Sequence, residues 1–135
     1  MSMQRPRPNP IIGVVDDDQR VLESLQNLLE SADYGVRVYS SAKGLLESAY
    51  LPDIDCLISD IDMPVMDGFE LLRAVRAARP QLPIILITGH PELLRDLPPL
   101  DPGRYQLFKK PFDGQKLLTA VSDALRSPRQ RSAGS

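Results

Sequence analysis

Eight side chains in this sequence stand where they could do chemistry together, and six of them are acids. Asp16, Asp17 and Asp18 follow the apolar run IIGVV, Asp60, Asp62 and Asp67 follow CLIS, and Thr88 and Lys110 close two further runs. Two carboxylates about 4 Å apart repel by roughly 4 kcal/mol at an effective dielectric of 20, so several ionised ones in a partly buried cleft require a positive charge among them. Oxygen donors without His or Cys suit a hard divalent ion, Mg²⁺ or Mn²⁺, held by two or three carboxylates, a carbonyl and waters. Such an ion commonly shares its shell with a phosphate. The Thr88 hydroxyl and the Lys110 ammonium then suit phosphoryl oxygens that the metal leaves partly unneutralised. Asp60 ends the central apolar run and is the candidate nucleophile, because a carboxylate can take a phosphoryl group as an acyl phosphate when the transferring oxygens are held in line.

These residues are far apart in sequence, and only a particular architecture brings them to one rim. PIIGVV, GVRVYS, DCLISD, PIILITG and RYQLFKK read as strands, the continuous apolar ones having the form of strands buried on both faces. Between them QRVLESLQNLLESA, SAKGLLESAY and DGFELLRAVRAARP read as helices, with Val21, Leu22, Leu25, Leu28 and Leu29 in the first and Phe69, Leu71, Leu72 and Val75 in the third at helical spacing. A serine is available to cap the second. The fourth helical segment, PELLRDLPPLDPG, carries Pro98, Pro99 and Pro102 and is expected to be short or irregular, since proline inside a helix costs about 3 kcal/mol. DGQKLLTAVSDALR closes the fold, with Leu117, Leu118, Val121 and Leu125 facing inward. Strands alternating with helices imply an α/β fold, a doubly wound five-stranded parallel sheet with helices on both faces. In such sheets the functional crevice lies beyond the carboxyl ends of the strands.

VVDDD, LISDIDMPVMDG, ITG and KKPF, in this order and spacing, resemble the receiver domain of two-component response regulators over roughly Pro10 to Arg126. The resemblance implies the flavodoxin-like strand order 2-1-3-4-5. It implies that Asp60 is phosphorylated, that Asp16 and Asp17 hold Mg²⁺ together with Asp60, and that the backbone carbonyl of Asp62 is a further metal ligand. Thr88 and Lys110 would contact the phosphoryl group, Lys110 being chosen over Lys109 because it precedes Pro111, a step that is often cis in the family. Upstream it implies a sensor histidine kinase or a phosphotransfer protein, and downstream a protein target. Asp18 and Asp67 are read as helix caps, and Pro64 and Gly68 as shapers of the loop after Asp60.

The sequence departs from the family at Leu107, where an aromatic residue commonly changes rotamer three positions before the lysine. Tyr105, two residues away on the same face, is the candidate substitute, and Phe108 is assigned to the core. The Pro-rich fourth segment is expected to give a different partner surface. Asp62 and His90 lie where the family tunes access of the attacking water, although Pro91 marks His90 as an exposed loop residue. Two other readings compete. SDID resembles the start of haloacid-dehalogenase-type phosphatases, which usually place that motif on the first strand. A receiver-like binding module that is never phosphorylated is the other.

Composition bounds all of these. At 135 residues, 42% hydrophobic and 25% charged, the chain suits one domain: a receiver over 10–126 between flexible tails at 1–9 and 127–135. The single cysteine, Cys56, rules out an internal disulfide and is expected to be a buried packing thiol. No apolar run approaches the about 20 residues of a membrane span, and MSMQRPRPNP lacks the centre of a signal peptide, so a cytoplasmic protein without membrane contact is expected. Setting aside Arg5, Arg7, Arg129 and Arg131 leaves 12 basic against 18 acidic residues, near −6, which argues against direct nucleic-acid binding by the folded part.

Overall fold

The computed structural model describes residues 9–62, 68–90 and 105–134. Five strands, β1 (Ile11–Val15), β2 (Gly35–Tyr39), β3 (Cys56–Asp60), β4 (Ile84–Thr88) and β5 (Tyr105–Lys109), pair in the order β2-β1-β3-β4-β5. Every pairing is parallel. Parallel neighbours need crossovers, and helices α1 (Gln19–Ser31), α2 (Ala42–Leu46) and α3 (Gly68–Ala78) supply those between the first four strands. The closing helix α4 spans Gly114–Gly134.

The sheet divides the core by the two-residue period of its strands. On one side Val15, Leu57, Ile84 and Leu86 pack with Leu45 of α2 and Leu71, Leu72 and Val75 of α3. On the other Ile12, Val14, Cys56, Ile58, Ile85 and Ile87 pack with Leu22, Leu25 and Leu29 of α1 and Leu117 and Val121 of α4. Leu118, Leu125 and Phe108 lie half-buried against the second cluster. Cys56 is wholly buried there, and burial pushes its thiol up to about 12, so it packs as an apolar group. A Cβ at Gly13 would lie 2.7 Å from Ile54 Cδ1, so a larger residue there would displace the end of the Ile54 side chain.

Capping follows the sequence. Asp18 caps α1 by accepting from the Arg20 N–H, and Ser41 caps α2 by accepting from the Gly44 N–H. Two features differ from the sequence reading. A 3-10 turn at Leu51–Asp53, with Pro52 in its first turn, follows α2 and leads into β3. The helix α4 continues through Gly134, past the expected end at Arg126 and through the residues 127–134 read as a tail. Pro128 removes one backbone donor without ending the helix, and Arg129, Gln130, Arg131 and Ala133 after it are all good helix formers. The first eight residues, Asp67 and the Pro-rich fourth segment lie outside the described residues, as do the side chains of Tyr105 and Phe69.

Candidate functional site

Alternation along the strands places the first acids. Asp16 continues the parity of Ile12 and Val14, Asp60 that of Cys56 and Ile58, and Val14 pairs with Ile58, so the two carboxylates emerge side by side from adjacent strands. Lys110 continues the parity of Phe108 and so belongs to the same face. Hydrogen bonds carry the sheet's order past the strand ends: Asp16 N–H donates to Tyr39 O at 3.1 Å, Ile61 N–H to Ile87 O at 3.0 Å, and Lys110 N–H to Thr88 O at 2.7 Å. The site residues are therefore fixed by the sheet itself. The Lys110–Pro111 bond is cis.

Carboxylate oxygens of Asp16, Asp17 and Asp60 lie within 4.8 Å of one another. Asp16 and Asp60 are 2% and 3% exposed, while Asp17 is at the surface. Lys110 Nζ stands 3.6 Å from Asp16 Oδ2 and 3.5 Å from Asp60 Oδ1, an electrostatic contact longer than a normal hydrogen bond. Backbone donors hold the carboxylates in place: Asp18 N–H donates to Asp16 Oδ1 at 2.9 Å and Asp62 N–H to Asp60 Oδ1 at 3.1 Å.

One ammonium among three carboxylates leaves the cluster short of positive charge. Burial raises the Asp16 carboxyl to about 6; the Asp18 N–H opposes this, Asp60 reinforces it, Lys110 opposes it and Asp17 adds to it. Burial also raises Asp60, against the pull of the Asp62 N–H and Lys110. For Lys110, burial pulls the ammonium down, but Asp16 and Asp60 together outweigh it and hold it above its ordinary value. An all-oxygen set at this spacing, with carboxylates that resist ionising alone, fits a hard divalent cation such as Mg²⁺.

Thr88, fully buried at the end of β4, meets Asp62 in a way the sequence reading did not foresee. Its hydroxyl donates to the Asp62 carboxylate, with Oγ1 at 3.0 Å from Oδ1 and 3.3 Å from Oδ2. Gly89 N–H donates to the same Oδ2 at 2.9 Å, and His90 N–H donates to Thr88 Oγ1 at 2.8 Å. The resemblance gave Asp62 a backbone oxygen to offer; the signal for its side chain was its place two residues past β3, beside the end of β4. The His90 side chain is exposed, as expected of the loop. Leu107 is 40% exposed on β5. SDID ends β3 and not the first strand, which removes the placement that the phosphatase reading needs.

Comparison with known proteins agrees with this layout. A family model described as the response regulator receiver domain matches residues 12–122. The transcriptional regulatory protein FixJ of Bradyrhizobium diazoefficiens is 33% identical over 115 residues, 85% of this chain and 56% of FixJ. The response regulator protein TodT of Pseudomonas putida is 37% identical over 123 residues, 90% of this chain and 54% of TodT. The chain thus spans about half the length of these curated relatives. Among solved structures, a response regulator receiver domain protein from Clostridium thermocellum superposes with a TM-score of 0.80 at 27% identity, covering 90% of this chain and 98% of that one. The response regulator StyR gives 0.78 at 35% identity, covering 93% of this chain and 64% of its own.

Proposed function

The chain belongs to the response regulator receiver family of two-component systems, and from that premise we propose that Asp60 accepts a phosphoryl group in a Mg²⁺-dependent reaction. The observation that carries this reading is the gathering of Asp16, Asp17 and Asp60 oxygens within 4.8 Å, with Lys110 Nζ 3.5 Å from Asp60. The donor is a phosphohistidine of a sensor histidine kinase or phosphotransfer protein. An Asp60 oxygen attacks phosphorus, the P–N bond to the imidazole breaks, and the acyl phosphate forms as the histidine regains its nitrogen lone pair.

Asp16 and Asp17, with Asp60 and the backbone carbonyl of Asp62, would hold Mg²⁺. When bound, the ion offsets the charge of the clustered carboxylates and of the transferring phosphoryl oxygens. Lys110 stands close enough to offset the charge that remains, and Thr88 offers a hydroxyl at the end of the neighbouring strand, one residue past the Asp60–Ile87 pair. An apolar groove lined by Val21, Leu28, Pro111 and Phe112 opens beside Lys110 and gives a protein donor a surface next to the acceptor. Acceptance of the phosphoryl group then biases a surface toward a downstream protein target, only as far as that target distinguishes the two states. The protein would work in the cytoplasm, where such kinases present their phosphohistidine; among the described residues no helix is long and apolar enough to cross a membrane.

Incubation with Mg²⁺ and acetyl phosphate, followed by intact mass measurement, tests the reading. The wild type should gain about 80 Da, one phosphoryl group, and Asp60→Asn should gain nothing. Steady turnover of phosphomonoesters, or no adduct with Mg²⁺ present, would overturn it.

A further inference from the structure

Asp62 is not one of the three acids whose oxygens gather at the candidate metal site, yet it engages two donors at the end of β4. One is the Thr88 hydroxyl and the other the Gly89 N–H. A hydroxyl has a single proton to donate, so while Thr88 gives it to Asp62 it cannot give it to an oxygen on Asp60. The His90 N–H fixes this direction, because it occupies Thr88 Oγ1 as an acceptor and leaves the hydroxyl hydrogen for Asp62. Asp62 is also tied to the acceptor: its own N–H donates to Asp60 Oδ1 at 3.1 Å, and Asp60 pairs with Ile87, the residue before Thr88.

We propose that the Asp62 carboxylate is an internal competitor of the phosphoryl group, holding Thr88 and Gly89 in the unphosphorylated arrangement until a phosphoryl on Asp60 takes the Thr88 hydroxyl from it. The proposal rests on the receiver reading above and adds what sets the receiver's bias between its two states. A phosphoryl group brings more charge and more acceptor oxygens than one carboxylate, so it wins the hydroxyl. Asp62 is half-buried, and on release water can solvate its carboxylate, so the contact opposes the switch without blocking it. The Asp62 carboxylate acts through Thr88 and is a positioning group; it is the backbone N–H of this residue that touches Asp60.

Titration with beryllofluoride in the presence of Mg²⁺, a phosphoryl mimic that binds the acceptor carboxylate, measures this competition in a double-mutant cycle. Asp62→Ala should bind beryllofluoride about tenfold more tightly than wild type, the scale of a charge-assisted hydrogen bond. In the Thr88→Val background the same substitution should give about twofold or less, because no hydroxyl remains to be released. Thr88→Ser, which keeps the hydroxyl, should restore the larger gain. Equal gains with and without the hydroxyl would reduce Asp62 to one more repelling charge and overturn the proposal. A wild type that binds no beryllofluoride at all would overturn the receiver reading itself, and the proposal with it.

Discussion

At the amino ends of the strands, charged side chains meet the backbone. Arg79 donates from Nη1 to Leu51 O at 2.9 Å and to Ile54 O at 2.6 Å, Arg76 donates to Leu82 O at 2.6 Å, and Asp55 Oδ2 accepts from Ile11 N–H at 2.8 Å. At the carboxyl ends they meet one another, with Asp16, Asp17 and Asp60 gathered within 4.8 Å and Lys110 the nearby ammonium. Both ends combine aspartate with basic residues, Asp55 with two arginines at one and three aspartates with Lys110 at the other. What differs is the partner: a backbone dipole accepts or donates without needing a further ion, whereas a like charge does not. One end holds the strands in place, and the other leaves like charges together, as the proposed binding of a cation and a phosphoryl group would require.

If that contrast is right, removing a charge should have opposite signs at the two ends. The largest effect is expected at Arg79→Ala, which strips the Leu51 and Ile54 carbonyls of a charged donor and should lower unfolding stability by about 3 kcal/mol in a denaturant titration. A loss below about 0.5 kcal/mol would mean that water replaces the guanidinium and that the amino end is no different from ordinary surface.

Asp16→Asn should do the reverse. The Asp16 carboxyl has an ordinary value of 3.8 and a folded value of about 6, so the folded chain holds its proton more tightly than the unfolded chain. Its contribution to stability is complete below pH 4 and is lost as pH rises through 6. At pH 7.5 without Mg²⁺ the variant should be more stable than wild type by about 2 kcal/mol, somewhat less than 1.36 kcal/mol per pKa unit gives because an amide does not reproduce every contact of the protonated carboxyl. At pH 3.5 that advantage should be gone. Added Mg²⁺ should then raise the wild-type melting midpoint and leave that of the variant nearly unchanged. A destabilised variant at pH 7.5 would show that Asp16 is paired structurally and would erase the contrast.

Much of the carboxyl end was legible in the sequence, because its logic is local to each strand. A buried strand followed by an acid points to Asp16 and Asp60, and the lysine before Pro111 at the end of the fifth strand is Lys110. The parallel sheet then brings those ends together without further information. The amino end was not legible in the same way. Arg79 reaches carbonyls 28 and 25 residues earlier, and Asp55 reaches an N–H 44 residues away, so no spacing rule exposes those pairings. The hold of Asp62 on Thr88 was hidden for a related reason. A carboxylate just past a strand end has no period to assign it a face, and its partner lies on the neighbouring strand. The extension of α4 beyond Arg126 was missed because 127–135 carries no apolar period to mark a helical face.

The central claim is that one particular carboxylate of the cluster is the one that reacts. Borohydride reduction after incubation with Mg²⁺ and acetyl phosphate tests this most directly, since it converts an aspartyl phosphate to homoserine at the residue that carried the phosphoryl group. Peptide sequencing by mass spectrometry should find that conversion at Asp60 alone. Conversion at Asp16 or Asp17, or none anywhere in the chain, would contradict the account.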